Sequence, residues 1–204
     1  MATNSDRRPD YSVPCEPLKA KSTTAWLDAV LANFDAFLLD HVANERKASS
    51  MAMSMVAHYP DKDRLLEAMI DLALEELNHF RQVVKLVRKR GLLLAPDEKD
   101  PYVNQLRGSI RRGKQHYFLD RLLSAAVIEA RGAERFALIA DNINDEELKI
   151  FYAALAKSEA SHHLLFIELA HHYFSDEEVG TRLDEWLSIE KIIIEELPVR
   201  ARLH

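Results

Sequence analysis

The chain has 204 residues, 48% of them apolar, enough for one buried core and too few to call for a second domain. Its formal charge of -6, taken alone, argues against a nucleic-acid partner; the single cysteine, Cys15, excludes an internal disulfide, and no apolar run approaches the ~18 residues of a membrane span. Five glycines and seven prolines, the prolines lying near the chain ends or between periodic segments, favour helices over a sheet sandwich in a soluble protein of the reducing cytoplasm.

Residues 1–23 hold Arg7, Arg8, Lys19 and Lys21 without an apolar block and are expected to be irregular. Thr24 can cap a long helix, about 24–58, whose stripe runs Leu27, Leu31, Phe34, Leu38, His41, Glu45, Ala48, Ala52 and Met55 at spacings of three and four. Tyr59 and Pro60 break it. Asp61 or Asp63 can cap the second helix, with the stripe Leu65, Met69, Leu72, Glu76, His79, Val83 and Leu86 ending at Gly91. Residues 91–113 are punctuated by Pro96, Pro101, Gly108 and Gly113 and support only a short basic helix around Tyr102 to Arg112. The third helix, about 115–141, carries Leu122, Ala126, Glu129, Ala133, Phe136 and Ala140. A fourth opens at Asn144, with Glu147 in capping-box spacing, and runs through Leu148, Phe151, Leu155, Glu159, His162, Phe166 and Leu169. Ser175 with Glu178 repeats the capping pattern and starts a fifth helix that reaches Leu197 and stops at Pro198.

Short turns join the first helix to the second and the third to the fourth, so each pair is an antiparallel hairpin. The 23 residues between the hairpins are long enough to cross the bundle. The expected architecture is all-α: a ferritin-like four-helix bundle with one long crossover and an additional C-terminal helix, a single domain over 1–204. A faint internal repeat supports it. Glu45 to Glu76 is 31 residues, Glu129 to Glu159 is 30, and the second helix of each pair carries Glu-x-x-His.

Each of the four stripes is apolar except at one level, where Glu45, Glu76 with His79, Glu129, and Glu159 with His162 interrupt it. Burying four carboxylates together costs several kcal/mol per ion unless cations compensate them. Two divalent iron ions would bring four positive charges to those four carboxylates. Residues three apart share a helix face, so each Glu-x-x-His can serve one metal pair, with Glu45 and Glu129 completing the shell. Such an oxygen- and imidazole-rich set without thiolates suits iron or manganese. A third Glu-x-x-His, Glu168 with His171, falls off the stripe, because nine residues after Glu159 at about 100° each is roughly the opposite face. Glu75 and Glu134 also fall off the stripes and read as solvated or as partners of the ligands. His41 lies one turn before Glu45, and Tyr59, Tyr117 and Tyr152 read as packing.

The segments Asp40-His41-Val42-Ala43-Asn44-Glu45-Arg46-Lys47-Ala48, Glu75-Glu76-Leu77-Asn78-His79-Phe80, Ile128-Glu129-Ala130-Arg131-Gly132-Ala133-Glu134-Arg135-Phe136 and Ser158-Glu159-Ala160-Ser161-His162-His163 resemble the MiaE-type tRNA hydroxylases, over about residues 24–173. That resemblance implies two iron ions, dioxygen as cosubstrate, and hydroxylation of the isopentenyl group of the methylthio-isopentenyl-adenosine beside the tRNA anticodon. It also implies bridging by Glu76 and Glu159, terminal ligation by Glu45 and Glu129, and one histidine for each iron. An electron-donor protein and a monomeric or small homo-oligomeric state accompany the expectation.

Charge distribution bears on the RNA partner independently. From Arg81 to Arg121, eleven Lys and Arg face four acidic residues, a local +7 that leaves -13 elsewhere. Arg88, Lys89 and Arg90 at the end of the second helix, and Arg107, Arg111, Arg112 and Lys114 in the crossover, are the candidate phosphate contacts. Arg88 to Arg90 could instead answer the helix macrodipole. A ferritin-like or rubrerythrin-like iron or peroxide protein, a diiron hydroxylase of another small substrate, and a bundle with an empty centre are the competing readings.

Overall fold

The computed structural model of the protein describes residues 18–204; Cys15 and most of the expected irregular N-terminal segment lie outside the described residues, and 18–23 are non-helical. Seven helices follow in order: α1 (Thr24–Ala32), α2 (Phe34–His58), α3 (Asp63–Lys89), α4 (Pro101–Gly108), α5 (Lys114–Asn142), α6 (Glu146–Tyr173) and α7 (Asp176–Glu196). Helices α2 and α3 pair, α5 and α6 pair, and α7 lies against α4, α5 and α6. The expected ferritin-like bundle with crossover and C-terminal helix is the architecture found.

Several boundaries and caps differ from the expectation. The first long helix is broken at Asn33, whose backbone leaves the helical region (φ -137°, ψ 59°) and whose side chain accepts from the Ala36 amide. The break slips the helical phase by about one residue, so Trp26 and Val30 are buried in α1 rather than Leu27 and Leu31. Thr23, not Thr24, caps α1. Helix α6 is capped by Asp145, which accepts from the Leu148 amide, in place of Asn144, while α3 starts without a side-chain cap from Asp61 or Asp63. The crossover helix begins one residue early and ends at Gly108, because Asp100 caps it and Pro101 occupies its first position. The capping box of Ser175 and Glu178 is formed as expected.

The core has a layered order that positions the site. One apolar layer gathers Ala52, Met55, Met69, Leu72, Leu122, Ala126 and Phe166. On the other side lie Phe37, Phe136, Ile139, Tyr152 and Leu155, with Leu38, Val42, Val83 and Val87 beside them. On every bundle helix the Glu or His positions fall between these layers, so the polar level is closed above and below by hydrocarbon. The C-terminal residues fold back beside it. Trp26 Nε1 donates to the Arg202 carbonyl at 2.9 Å, the Leu203 amide donates to Asp40 at 2.8 Å, and the His204 ring stacks on Tyr102 with centroids 4.9 Å apart.

Candidate metal centre

All six residues expected at the polar level are buried and converge. Two groups of potential ligand atoms form, each with its atoms within 4.8 Å of one another: Glu45, Glu76, His79 and Glu159, and Glu76, Glu129, Glu159 and His162. Glu76 and Glu159 belong to both groups. The Nδ1 atoms of both histidines face inward. His79 Nδ1 lies 3.6 Å from a carboxylate oxygen of Glu45 and of Glu76, and His162 Nδ1 lies 2.9 Å from Glu76 Oε1. Yet His79 Nδ1, His162 Nδ1 and Glu76 Oε1 have no partner in hydrogen-bond geometry among the described residues. Buried polar atoms aimed at a common point without pairing are what metal ligands leave behind in a protein framework.

The electrostatics carry the same message. Burial, reinforced by the negative charge of Glu159 and Glu76, pushes the Glu129 carboxyl well above the usual carboxylate range; burial and Glu76 do the same to Glu159. Burial alone would depress the two imidazoles, but the surrounding carboxylates more than reverse this and raise His79 and His162 each to about 9. Glu45 is pushed up by burial and then drawn well below its ordinary value by His41 and His79. The cluster is short of positive charge, and divalent cations would supply it.

Around these six residues stands a shell the sequence shows only in part. Glu75, exposed on α3, places Oε2 3.3 Å from His162 Nε2, while Ser158 Oγ donates to Glu75 at 2.6 Å and lies 3.4 Å from His79 Nε2. These two residues each precede the glutamate of a Glu-x-x-His and reach across to the other motif's histidine; Ser158 was not foreseen, though its matching position was the available signal. His41 Nε2 lies 2.5 Å from Glu45 Oε1, and its Nδ1 is 3.2 Å from the Tyr152 hydroxyl, so both belong to the support of Glu45. Glu134 instead joins Arg131 and Ser22. His163 is a core residue bound to the Ala126 carbonyl, and Glu168 with His171 is exposed, as its phase required.

A cavity of about 590 Å³ reaches the carboxylates. At its buried end are Glu45, Glu76, Glu129, Gly132, Phe136 and Glu159; Ala48, Met51, Ala125 and Ile128 form an apolar middle; and exposed Asn104, Arg107 and Tyr117, with half-buried Arg121, stand toward solvent. Tyr117 also borders a shallow depression holding His58, Tyr59, Arg112 and Lys114.

The candidate phosphate contacts divide. Arg107 lines the cavity, and Arg112 and Lys114 lie beside it. Arg111 is committed to buried Asp120, donating through Nε and Nη2 at 3.1 and 2.9 Å. Lys89 pairs with Glu147 and Arg90 with Asp35, at the start of α2, whereas His58 marks its end. At 1.5 Å per residue, the pair Lys89 and Arg90 and the pair Arg112 and Lys114 beside His58 are roughly 35 Å apart along that helix.

Comparison with known proteins adds the following. The family model described as tRNA-(MS[2]IO[6]A)-hydroxylase (MiaE) matches residues 12–204. A Pseudomonas putida protein named tRNA 2-(methylsulfanyl)-N(6)-isopentenyladenosine(37) hydroxylase is 37% identical over 180 residues, 88% of this chain and 87% of its own length. A Salmonella typhimurium protein of the same name is 32% identical over 155 residues, 76% of this chain and 56% of its own. Among solved structures, a Synechococcus protein described as having aldehyde deformylating oxygenase activity superposes with a TM-score of 0.88 at 35% identity, covering 92% of this chain and 94% of that one.

Proposed function

The chain belongs to the MiaE family of tRNA hydroxylases, and from that membership we propose that it inserts one oxygen atom of dioxygen into the isopentenyl group of the methylthio-isopentenyl-adenosine beside the tRNA anticodon. The observation that carries this reading is the juxtaposition of a double carboxylate–imidazole cluster with a cavity that runs through an apolar middle to a charged rim, where Arg107 and Arg121 stand alongside Asp97, Glu98 and Asp100.

The residues fit an iron pair. Glu45 and His79 would hold one ion, Glu129 and His162 the other, and Glu76 and Glu159 would lie between them. Two divalent ions balance four carboxylates, and an oxygen- and nitrogen-donor set without thiolates suits iron. When bound, the iron pair supplies the reducing electrons and open positions at which dioxygen is activated.

The chain itself does the positioning. Ala48, Met51, Ala125 and Ile128 form a hydrocarbon sleeve that accepts a prenyl group and excludes water from the buried end. In this reading Asn104 and Tyr117, at the solvent side of the cavity, would meet a base turned out of its stack, and Arg107, Arg121, Arg112 and Lys114 would meet the flanking phosphates. Putting one oxygen atom into a C–H bond and reducing the other to water consumes two electrons and two protons. An electron-donor protein is therefore a required partner.

The Synechococcus neighbour favours a second reading, in which the same chamber takes an apolar aldehyde. Nucleoside mass spectrometry of tRNA from cells with and without this protein separates the two. The proposed function requires the hydroxylated methylthio-isopentenyl nucleoside to disappear with the protein; its persistence in the absence of any second hydroxylase rejects the assignment.

A further inference from the structure

Gly132 stands in the middle of α5, three residues after Glu129, and is buried. Glycine is a poor helix former, so its presence in a long interior helix needs a reason. Backbone conformation is not the reason, since the glycines with positive φ are Gly91 and Gly113. Close helix approach is not the reason either. A methyl group built on Gly132 would have as its three nearest neighbours Cγ, Oε2 and Cδ of Glu159, at 3.6, 3.7 and 3.9 Å, all side-chain atoms at ordinary contact distance. Alanine would fit the folded chain.

What a methyl group would take away is space in the cavity. Gly132 lines its buried end together with Glu129, Phe136 and Glu159. It shares a face of α5 with Ala125, Ile128 and Glu129 at spacings of three and four, so the wall narrows or widens by whatever stands at this position.

We propose that Gly132 is the specificity-determining position of the chamber: its missing side chain leaves the room in which the branched end of an apolar N6 substituent lies beside the metal-binding carboxylates. This rests on the tRNA-hydroxylase reading above and adds to it the residue that selects a branched substituent over a shorter one. One methyl group in an apolar pocket discriminates by roughly 10- to 200-fold.

The test is a matched set of binding and turnover measurements on the wild type and Gly132→Ala. Anaerobic, iron-loaded protein is titrated with synthetic anticodon stem-loops carrying adenosine, N6-allyladenosine or N6-isopentenyladenosine, and iron content and thermal unfolding are recorded alongside. The variant is expected to fold and to keep its iron. Its preference for the isopentenyl over the unmodified loop should fall about tenfold or more, its affinity for the unmodified loop should stay unchanged, and the allyl loop, lacking both methyl groups, should recover the preference. Turnover of the isopentenyl loop should fall in parallel.

An unchanged preference overturns the proposal. So does a variant that fails to fold, since the helix would then need glycine for itself, and so does loss of iron with the preference intact, since Gly132 would then serve the Glu159 ligand. If the wild type shows no preference for the isopentenyl loop, the functional reading fails first and takes this inference with it.

Discussion

Glu75 and Ser158 approach the two motif histidines from opposite hairpins, each standing one position before a Glu-x-x-His: Ser158 Oγ lies 3.4 Å from His79 Nε2, and Glu75 Oε2 stands 3.3 Å from His162 Nε2, within ion-pair distance but outside hydrogen-bond geometry. Such outer partners fix the orientation and basicity of a ligating imidazole, and their loss commonly weakens metal binding by 10- to 100-fold. Ser158→Ala and Glu75→Gln should each lower iron affinity by about that range while leaving the fold intact, as competition with a chelator would report. Glu129→Gln makes the opposite point about stability. It removes one of four crowded buried carboxylates, so the metal-free variant should unfold at a higher temperature than metal-free wild type, yet gain less on adding iron. Differential scanning calorimetry with and without iron reads both signs. The six candidate ligands stood out in the sequence because each interrupts an otherwise apolar stripe. Of their outer partners, Glu75 reads in the sequence only as solvated or as a partner of those residues, and Ser158 is not singled out, because the relation crosses between helices while the sequence records only the spacing within one. His41 was ambiguous for the same reason: its distance to Glu45 is local, but the Tyr152 hydroxyl that completes the link comes from α6.

At the level of elements, the crossover is tied down by two acids, buried Asp120 and part-buried Asp100. Asp120 on α5 accepts from Arg111 and Arg182 and from the Arg111 backbone amide, closing the end of the crossover against α7. Arg111→Ala should therefore destabilise the protein by only about 1 kcal/mol, the net worth of a lost hydrogen bond, because Arg182 and the residue 111 amide still pair both Asp120 oxygens; urea unfolding measures it. Asp100 performs a second closure. It caps α4 through the Tyr102 and Val103 amides and meets His204 at 3.1 Å, joining the crossover to the C-terminal residues that wall the cavity. Burial pushes its carboxyl up, but His204 and the two amides more than reverse this and hold it at about 2, below the ordinary 3.8. A carboxylate depressed in the folded state contributes stability that is fully present above the unfolded value and is lost as pH falls through the folded one. Its contribution, about 2 kcal/mol, should be present at neutral pH and vanish between about pH 4 and 2. The stability gap between wild type and Asp100→Asn, followed by urea unfolding, should close over that window. Helix existence and pairing were readable from periodicity and loop length. The break at Asn33 was not, because the apolar stripe continues through it and only the backbone turn betrays the slip in phase.

Across the whole molecule, an acidic protein has to bind a polyanion, and it can do so only where its cations are both gathered and free. In the sequence the basic residues from Arg81 to Arg121 form one region of +7. In space they form two, at opposite ends of α2, and the fold treats them differently. At the α3 end, Lys89 and Arg90 are neutralised by Glu147 and Asp35. At the cavity end, Arg107, Arg112, Lys114 and Arg121 pair with no carboxylate among the described residues, within the 4.0 Å limit of a salt bridge. Free cations around an apolar chamber attract phosphates by releasing their counterions, and that term is the salt-dependent one. Removing a phosphate contact should weaken binding to modified and unmodified stem-loops alike and reduce the slope of log affinity against log salt by about one. We expect this of Arg107→Ala, Arg112→Ala and Lys114→Ala, measured by fluorescence anisotropy between 50 and 200 mM salt, and no change in slope for Lys89→Ala or Arg90→Ala, whose cations are already paired. Arg111 is deliberately absent from the set, since its removal acts on Asp120 and would confuse folding with binding. Should Lys89→Ala shift the slope as Lys114→Ala does, the RNA would have to span some 35 Å of the bundle, and a loop entering the chamber from the crossover side would no longer account for its contacts.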